Sequence, residues 1–319
     1  MTSDRPTAST RAALLALIAL LAILTPSLSA AAGTEPGTDP VSTTPAPRPV
    51  LLSSAPVAGG QVNPGGAILL QFDSPASVNL FAIPESGRIR VLPLLPVTDP
   101  TTVSTLLPDD FVAGQRFRLV VTGVSERPWQ RTLRFVAGAA GPATATEVPA
   151  AVGTMVGSGG QVHTFSIQVH RRVSEESLAF VRRSMRVLTD PRGWTGAGRH
   201  QLLPVDDPKA ADIRLLLAPP KRVDRLCRRD GLDTGGRVSC WNGEFAALNI
   251  NRWRYGALGG GFRSLWHYHQ YLISHEFGHG LGYKHAQCPR PGALANVMQQ
   301  QTGGQAGCRA NGWPYPDLG

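Results

Sequence analysis

Four residues of this 319-residue chain could do chemistry together: His275, Glu276, His279 and His285, set in the pattern H-E-x-x-H-x-x-G-x-x-H with Gly282 at the glycine position. On a helix, residues four apart share a face with Cβ atoms about 5–6 Å apart. His275 and His279 can therefore reach one ion at the ~2.0–2.1 Å zinc–nitrogen distance. Glu276 lies one position on, at the flank of that face, where a carboxylate can hold a water without taking a coordination position. His285 is out of reach of a continued helix, because six residues past His279 it would stand about 9 Å further along the axis. The helix has to end and the chain turn back. Gly282 is the residue type that adopts positive φ at little cost and commonly ends helices. The predicted product is a three-histidine Zn2+ site with a fourth position open to water, the catalytic form of zinc coordination. A water acidified by zinc, with a carboxylate that takes its proton and passes it to a leaving amine, is the chemistry of amide hydrolysis.

The elements that must position these residues follow from periodicity. A helix is expected over 262–281, carrying the first two histidines. His267 and His269, on the same helix, are read as surface or packing residues because three ligands are already supplied, and Trp266, Tyr268 and Tyr271 as helix packing. Upstream, 162–169 alternates as a strand, and 213–217 and 245–250 are buried-strand candidates. Ser174 can cap a helix whose Leu178, Val181, Met185 and Leu188 fall at helical spacing, ending before Asp190-Pro191-Arg192-Gly193. These elements fill one domain of ordinary size, 154–319. Residues 49–137 differ: short apolar runs at 67–72, 78–83, 88–92, 117–121 and 132–136 are separated by Pro, Gly and Asp, which predicts an all-β, Ig-like sandwich. The stretch from Ser54-Ala55-Pro56-Val57-Ala58-Gly59-Gly60 to Phe72 resembles bacterial Ig-like modules. That domain is expected to serve as a spacer or binding module, with an inhibitory pro-segment as the alternative. Stretches 33–48 and 138–153, rich in Ala, Gly, Pro and Thr, read as linkers.

The N-terminus has the order of a secretory signal over 1–32: Arg5 and Arg11, an apolar run at 12–24, then Ala30-Ala31-Ala32. The run is short for an ordinary span of ~20 residues. Secretion or attachment to the cell envelope is expected, by a cleaved signal or an uncleaved N-terminal anchor, with no stable membrane span after cleavage. Cys227, Cys240, Cys288 and Cys308 make an even count, which in an exported chain favours disulfides. Three connectivities are open, and the sequence-local one is Cys227–Cys240 with Cys288–Cys308. The formal net charge is +9, yet Lys209, Lys221 and Lys284 are the only lysines and the arginines are scattered. No nucleic-acid stripe is expected, only a modest attraction to acidic cell-envelope polymers. The doublets Arg171-Arg172, Arg182-Arg183 and Arg228-Arg229 are read as solvated faces.

The extended histidine motif resembles that of the metzincin metallopeptidases. Asn296-Val297-Met298-Gln299-Gln300 is similar to their Met-turn, in which Met298 would form a hydrophobic base under the metal. Many metzincins carry a tyrosine two residues after that methionine, where this chain has Gln300. A fuller resemblance is to an actinobacterial family of exported zincin-like proteins whose domain is of unknown function. It is carried by 188–194, Leu226-Cys227, Ser239-Cys240, 249–253, the histidine motif, 297–302, and Cys308 through Asn311-Gly312-Trp313-Pro314. It implies an α+β fold, a metzincin-like zincin catalytic domain behind the β-sandwich. The implied function is a secreted zinc metallopeptidase acting on a protein or peptide, with Glu276 as general base. Two alternatives stay open: a non-catalytic zinc-binding module of the envelope, against which Glu276 argues, and a zinc amidase acting on peptidoglycan peptides. A Cys288–Cys308 bridge would close the loop carrying Met298 and position the floor of the site.

Overall fold

The period-2 runs of the first half become two packed sheets. In the computed structural model, which describes residues 47–125, 128–139 and 153–318, β1 (Leu51–Ala55), β3 (Ala67–Phe72) and β6 (Thr102–Leu106) form an antiparallel sheet in the order β1-β3-β6. A second, five-stranded sheet is built from β2 (Gln61–Val62), β4 (Val78–Pro84), β5 (Arg90–Leu92), β7 (Arg116–Gly123) and β8 (Gln130–Ala137), in the order β2-β8-β7-β4-β5. Ile68, Leu70 and Phe72 from β3 meet Leu80 and Ala82 from β4 and Phe117, Leu119 and Val121 from β7 between the sheets. The predicted signal 1–32, residues 33–46 of the first linker and 140–152 of the second lie outside the described residues.

The second half is α+β. β9 (Gln161–Val169), β10 (His200–Pro204), β11 (Ile213–Ala218), β12 (Cys240–Trp241) and β13 (Phe245–Asn249) form a sheet in the order β10-β9-β11-β13-β12, parallel except for the antiparallel edge strand β12. Side chains alternate across β11. Leu215 and Leu217 join the core shared with α1 (Ser177–Leu188) and α4 (Leu265–Gly280), while Leu216 and Ala218 pack on the opposite face against α2 (Pro220–Cys227). A sheet covered on both faces requires such continuous apolar strands. Disulfide Cys227–Cys240 ties the end of α2 to β12, and Cys288–Cys308 closes the loop after α4. These are the sequence-local pairings.

The two halves share a core. The outward face of the five-stranded sheet, Phe81, Ile83, Val91 and Val120, packs into the same cluster as Phe180 and Val181 of α1, which explains why β4 is apolar at nearly every position rather than at every second one. Asn79, fully buried, exchanges hydrogen bonds with the Thr154 backbone, and Asp206 accepts from Arg88, Arg90 and the Val91 N–H.

Several local expectations are corrected. Ser174 does not cap a helix: it lies inside a 3-10 turn, Arg171–Glu176, and α1 starts at Ser177. The chain leaves β9 through a tight turn whose capping acceptor is the His170 ring, which receives the Arg172 N–H. The predicted strand ending at Ile250 stops at Asn249, whose side chain accepts from the Asn251 N–H and starts α3 (Ile250–Tyr255). The metal-motif helix starts at Leu265 rather than 262, because Ser264 Oγ accepts the His267 N–H at 3.1 Å and so caps it there. No helix among the described residues is long and apolar enough to cross a membrane.

Candidate metal centre

α4 places His275 and His279 one turn apart, and the helix ends immediately after them. Gly282, at φ +93°, redirects the chain, and the Tyr283 N–H returns to the Gly278 carbonyl at 3.0 Å. This reversal brings His285 back to the helix. One ring nitrogen from each of the three histidines then lies within 4.8 Å of the others, so the cluster could hold a metal ion.

The hydrogen bonds orient the rings. His275 Nδ1 lies 2.8 Å from the Val297 carbonyl and His279 Nδ1 2.8 Å from the Tyr283 carbonyl. A carbonyl only accepts, so both Nδ1 atoms carry the proton and both Nε2 lone pairs are free. Such backbone anchoring is what fixes tautomer and orientation in metal-ligating histidines. His279 Nε2 and His285 Nε2 are 3.1 Å apart, close to the edge of about 3.3 Å that a tetrahedron with ~2.0–2.1 Å bonds requires. Burial lowers the pKa of all three rings, most for His275, which falls to about 3 with a further push from His279 and His285. They therefore stand as neutral imidazoles, the form that binds metal.

Glu276 is the chemically unusual group. It is 6% exposed, burial pushes its carboxyl up to about 8, and it makes no hydrogen bond or ion pair among the described residues. Its oxygens are not sealed among the enclosed polar atoms that lack a partner, so a water from outside can reach the carboxyl. A cation on the adjacent histidines would draw the carboxyl down towards its ionised form. The donor set and a carboxyl with no protein partner beside it fit a metal ion with its water.

The loop after α4 supplies the floor. The Ala286 N–H donates to the Met298 carbonyl, and Met298 Sδ and the Trp194 ring press so closely on Gly278 that a Cβ there would meet them at 2.6 and 2.4 Å. Met298 thus packs against the turn of helix between His275 and His279. Gln300 is exposed. Behind the loop, fully buried Gln301 binds the Asn296 and Asn311 carbonyls and accepts the Asn311 N–H, while Asn311 in turn ties Ala295 and Trp313. Tyr271 accepts the Gln301 N–H. Tyr283 stacks on Trp194 at 4.4 Å, and its hydroxyl meets His200, which continues to His163. Sequence reading assigned none of Trp194, His163, His200, Tyr283, Gln301 and Asn311 a role in the site. The residue types signal it only weakly, since all but Tyr283, which sits inside the motif, act across a long sequence separation.

His269 is a packing residue as expected, stacked on Trp253 at 3.8 Å and bonded to its carbonyl. Arg183 is not on a solvated face: it is half-buried, its guanidinium 2.5 Å from His269 Nδ1 and above the rings of Trp253 and Trp266.

The model of a family described as "Protein of unknown function (DUF3152)" matches residues 136–306, more than half of the chain. The chain belongs to the DUF3152 family. The matched DUF3152 region contains the histidine cluster, Glu276 and Met298. No curated protein matches the chain. Among solved structures it is similar to PcoC, a methionine-rich copper resistance protein from Escherichia coli, at 21% identity over 28% of this chain and 99% of that one, with a TM-score of 0.24. It is likewise similar to CopC from Methylosinus trichosporium OB3b, at 16% identity over 30% of this chain and 99% of that one, with a TM-score of 0.25.

Proposed function

We propose that this chain is a secreted, zinc-dependent metallopeptidase whose DUF3152 region is a metzincin-like catalytic domain. The observation that carries the reading is Glu276, a buried carboxylate with no protein partner, set beside three neutral imidazoles whose Nδ1 protons are held by backbone carbonyls or whose Nε2 faces the same point. A structural zinc site has no use for such a group. Three imidazoles with room for water suit zinc. When bound there, zinc lowers the pKa of a water to about 7 and polarises a carbonyl oxygen. Glu276 takes the proton of the attacking water and passes it to the departing amine nitrogen, so one carboxylate serves as base and then acid. Met298 and Trp194 hold the helix turn beneath the ligands. β12, an edge strand that contacts α4, pairs with β13 alone among the described residues, and its free edge can accept an extended peptide as a further strand. This supports a protein or peptide substrate. The two disulfides support an extracytoplasmic setting.

The test is to load the protein with zinc, measure stoichiometry, and incubate it with a diverse peptide library and with purified peptidoglycan, beside Glu276→Gln. Peptide cleavage by the wild type, with the variant still binding one zinc and slowed about 10²–10⁴-fold, is the expected result. Cleavage of peptidoglycan stem peptides alone would make the protein an amidase. Zinc bound with no cleavage of either would make it a binding module, and undiminished activity in Glu276→Gln would remove that residue from the mechanism.

A further inference from the structure

The outer face of the five-stranded sheet changes character along β7. Val120, fully buried, joins the core shared with α1; two residues back on the same face is Arg118, half-buried, and two further Arg116, exposed. Across the β7–β8 pairing, Arg118 stands directly opposite Arg134. Like charges placed directly opposite destabilise a sheet. None of the three arginines makes an ion pair or a side-chain hydrogen bond among the described residues. They line a cavity of about 320 Å³ whose other walls are Gly59, Glu85, Phe117, Phe135 and Val136. Glu85 is its one carboxylate, so the cavity carries three guanidinium groups against a single negative charge. A concave site with surplus charge concentrates counter-ions from solution.

We propose that this cavity binds the phosphate groups of a phosphodiester-linked polymer of the cell envelope, making the sandwich the anchor that holds the metal-bearing half near its substrate. Three observations favour that occupant. All three cations are arginines, whose planar forks suit phosphate oxygens bidentately. The cavity has the volume of a small-molecule site rather than of a lone ion, room for one phosphate-bearing repeat. Its lining includes none of the shared-core residues Phe81, Ile83, Val91 and Val120, and the disulfides point to an extracytoplasmic protein. The anchoring role rests on the proposed hydrolase reading, whereas the binding itself concerns a separate surface and is read without catalysis.

The full chain is titrated with a synthetic glycerol-phosphate hexamer, with a uronate oligomer of equal charge and with inorganic phosphate, at two salt concentrations. The hexamer should bind more tightly than either other probe. The triple variant R116Q/R118Q/R134Q should weaken it by about tenfold or more. A control triple at exposed arginines elsewhere, R171Q/R172Q/R229Q, should change it by less than about twofold, since surface charges beyond a Debye length are screened. Equal losses in the two triples would mean that net charge alone does the binding and would overturn the site. Equal affinity for the uronate oligomer would overturn phosphate as the ligand, and so would absence of hexamer binding. Because R118Q and R134Q remove an opposed pair of like charges, the triple variant should melt no lower than the wild type. If it melts lower, the single substitutions at the exposed positions, R116Q and R134Q, decide: each should weaken the hexamer about threefold with melting unchanged, and unchanged affinity in both would sink the proposal.

Discussion

His269 illustrates how a residue resembling a metal ligand can belong to the core. Its Nε2 faces the Trp253 carbonyl and its Nδ1 faces the Arg183 guanidinium, so the ring must be neutral: a second proton would leave two cations in contact in an apolar setting. Burial first, and Arg183 beside it, hold its pKa down to about 4. An unfolded histidine near 6.5 takes up its proton earlier than the folded one. The stabilisation from keeping it neutral is therefore fully present above about pH 6.5 and is lost as pH falls through about 4, a contribution of about 3 kcal/mol. Denaturant unfolding measured across that window should show stability falling with pH, and His269→Gln should flatten the slope. A variant with the wild-type slope would place the titration elsewhere. Glu276 is the opposite case on the same helix, a group that burial pushes up rather than down and that has no protein partner among the described residues where His269 has two.

At the scale of elements, what could be read from the sequence was local. The histidine spacing encodes a helix face, and Gly282 encodes the reversal that returns His285, because both act within a few residues. The alternating runs encode strands for the same reason. Gly278 could not be read: it stands at a free position of the motif, and its need appears only where α4 crosses Trp194, 84 positions earlier, and Met298, 20 positions later. The knot of Gln301 and Asn311 under Met298 is similarly invisible as two uncharged polar residues in a loop. β1, β6 and β10 carry too few large apolar residues at every second position to signal a strand, and Ser174 misled because a strand exit ahead of it supplied a different cap. Gly278 yields a test. Gly278→Ala gains about 1 kcal/mol of helix propensity but overpacks a closed contact, which costs roughly 1–3 kcal/mol. The variant should melt lower and bind zinc less tightly, because the turn that moves carries the ligands. Gly303→Ala, where a Cβ meets no atom within 4 Å, should do neither. Equal stability in the two would mean the crossing has slack.

For the whole molecule, the question is whether the sandwich is an appendage or part of one folding unit. Phe81, Ile83, Val91 and Val120 lie in the core that also holds Phe180, Leu215 and Phe277. Stripping the sandwich away would expose the part of α1 that packs against β7. Asp206, whose side chain is 9% exposed, gathers Arg88 at 2.6 Å, Arg90 at 3.0 Å and the Val91 N–H at 3.0 Å. Removing it leaves mostly buried Arg90 with Asp110 as its remaining partner and one backbone donor unpaired, while half-exposed Arg88 regains water. The cost of Asp206→Ala on that reckoning is about 2 kcal/mol, nearer the value for hydrogen bonds to a charged group than for a fully buried ion pair. A shared core predicts that the wild type unfolds in one calorimetric transition whose van't Hoff and calorimetric enthalpies agree. Asp206→Ala should lower that transition or split it in two. Because a ligand that binds only the folded state stabilises everything that unfolds with its site, zinc should raise the protection of amides in β4 and β7 together with those of α4. Zinc protecting α4 alone, or two transitions already in the wild type, would mean that the sandwich folds independently and that anchoring at its arginines is not mechanically coupled to the metal centre.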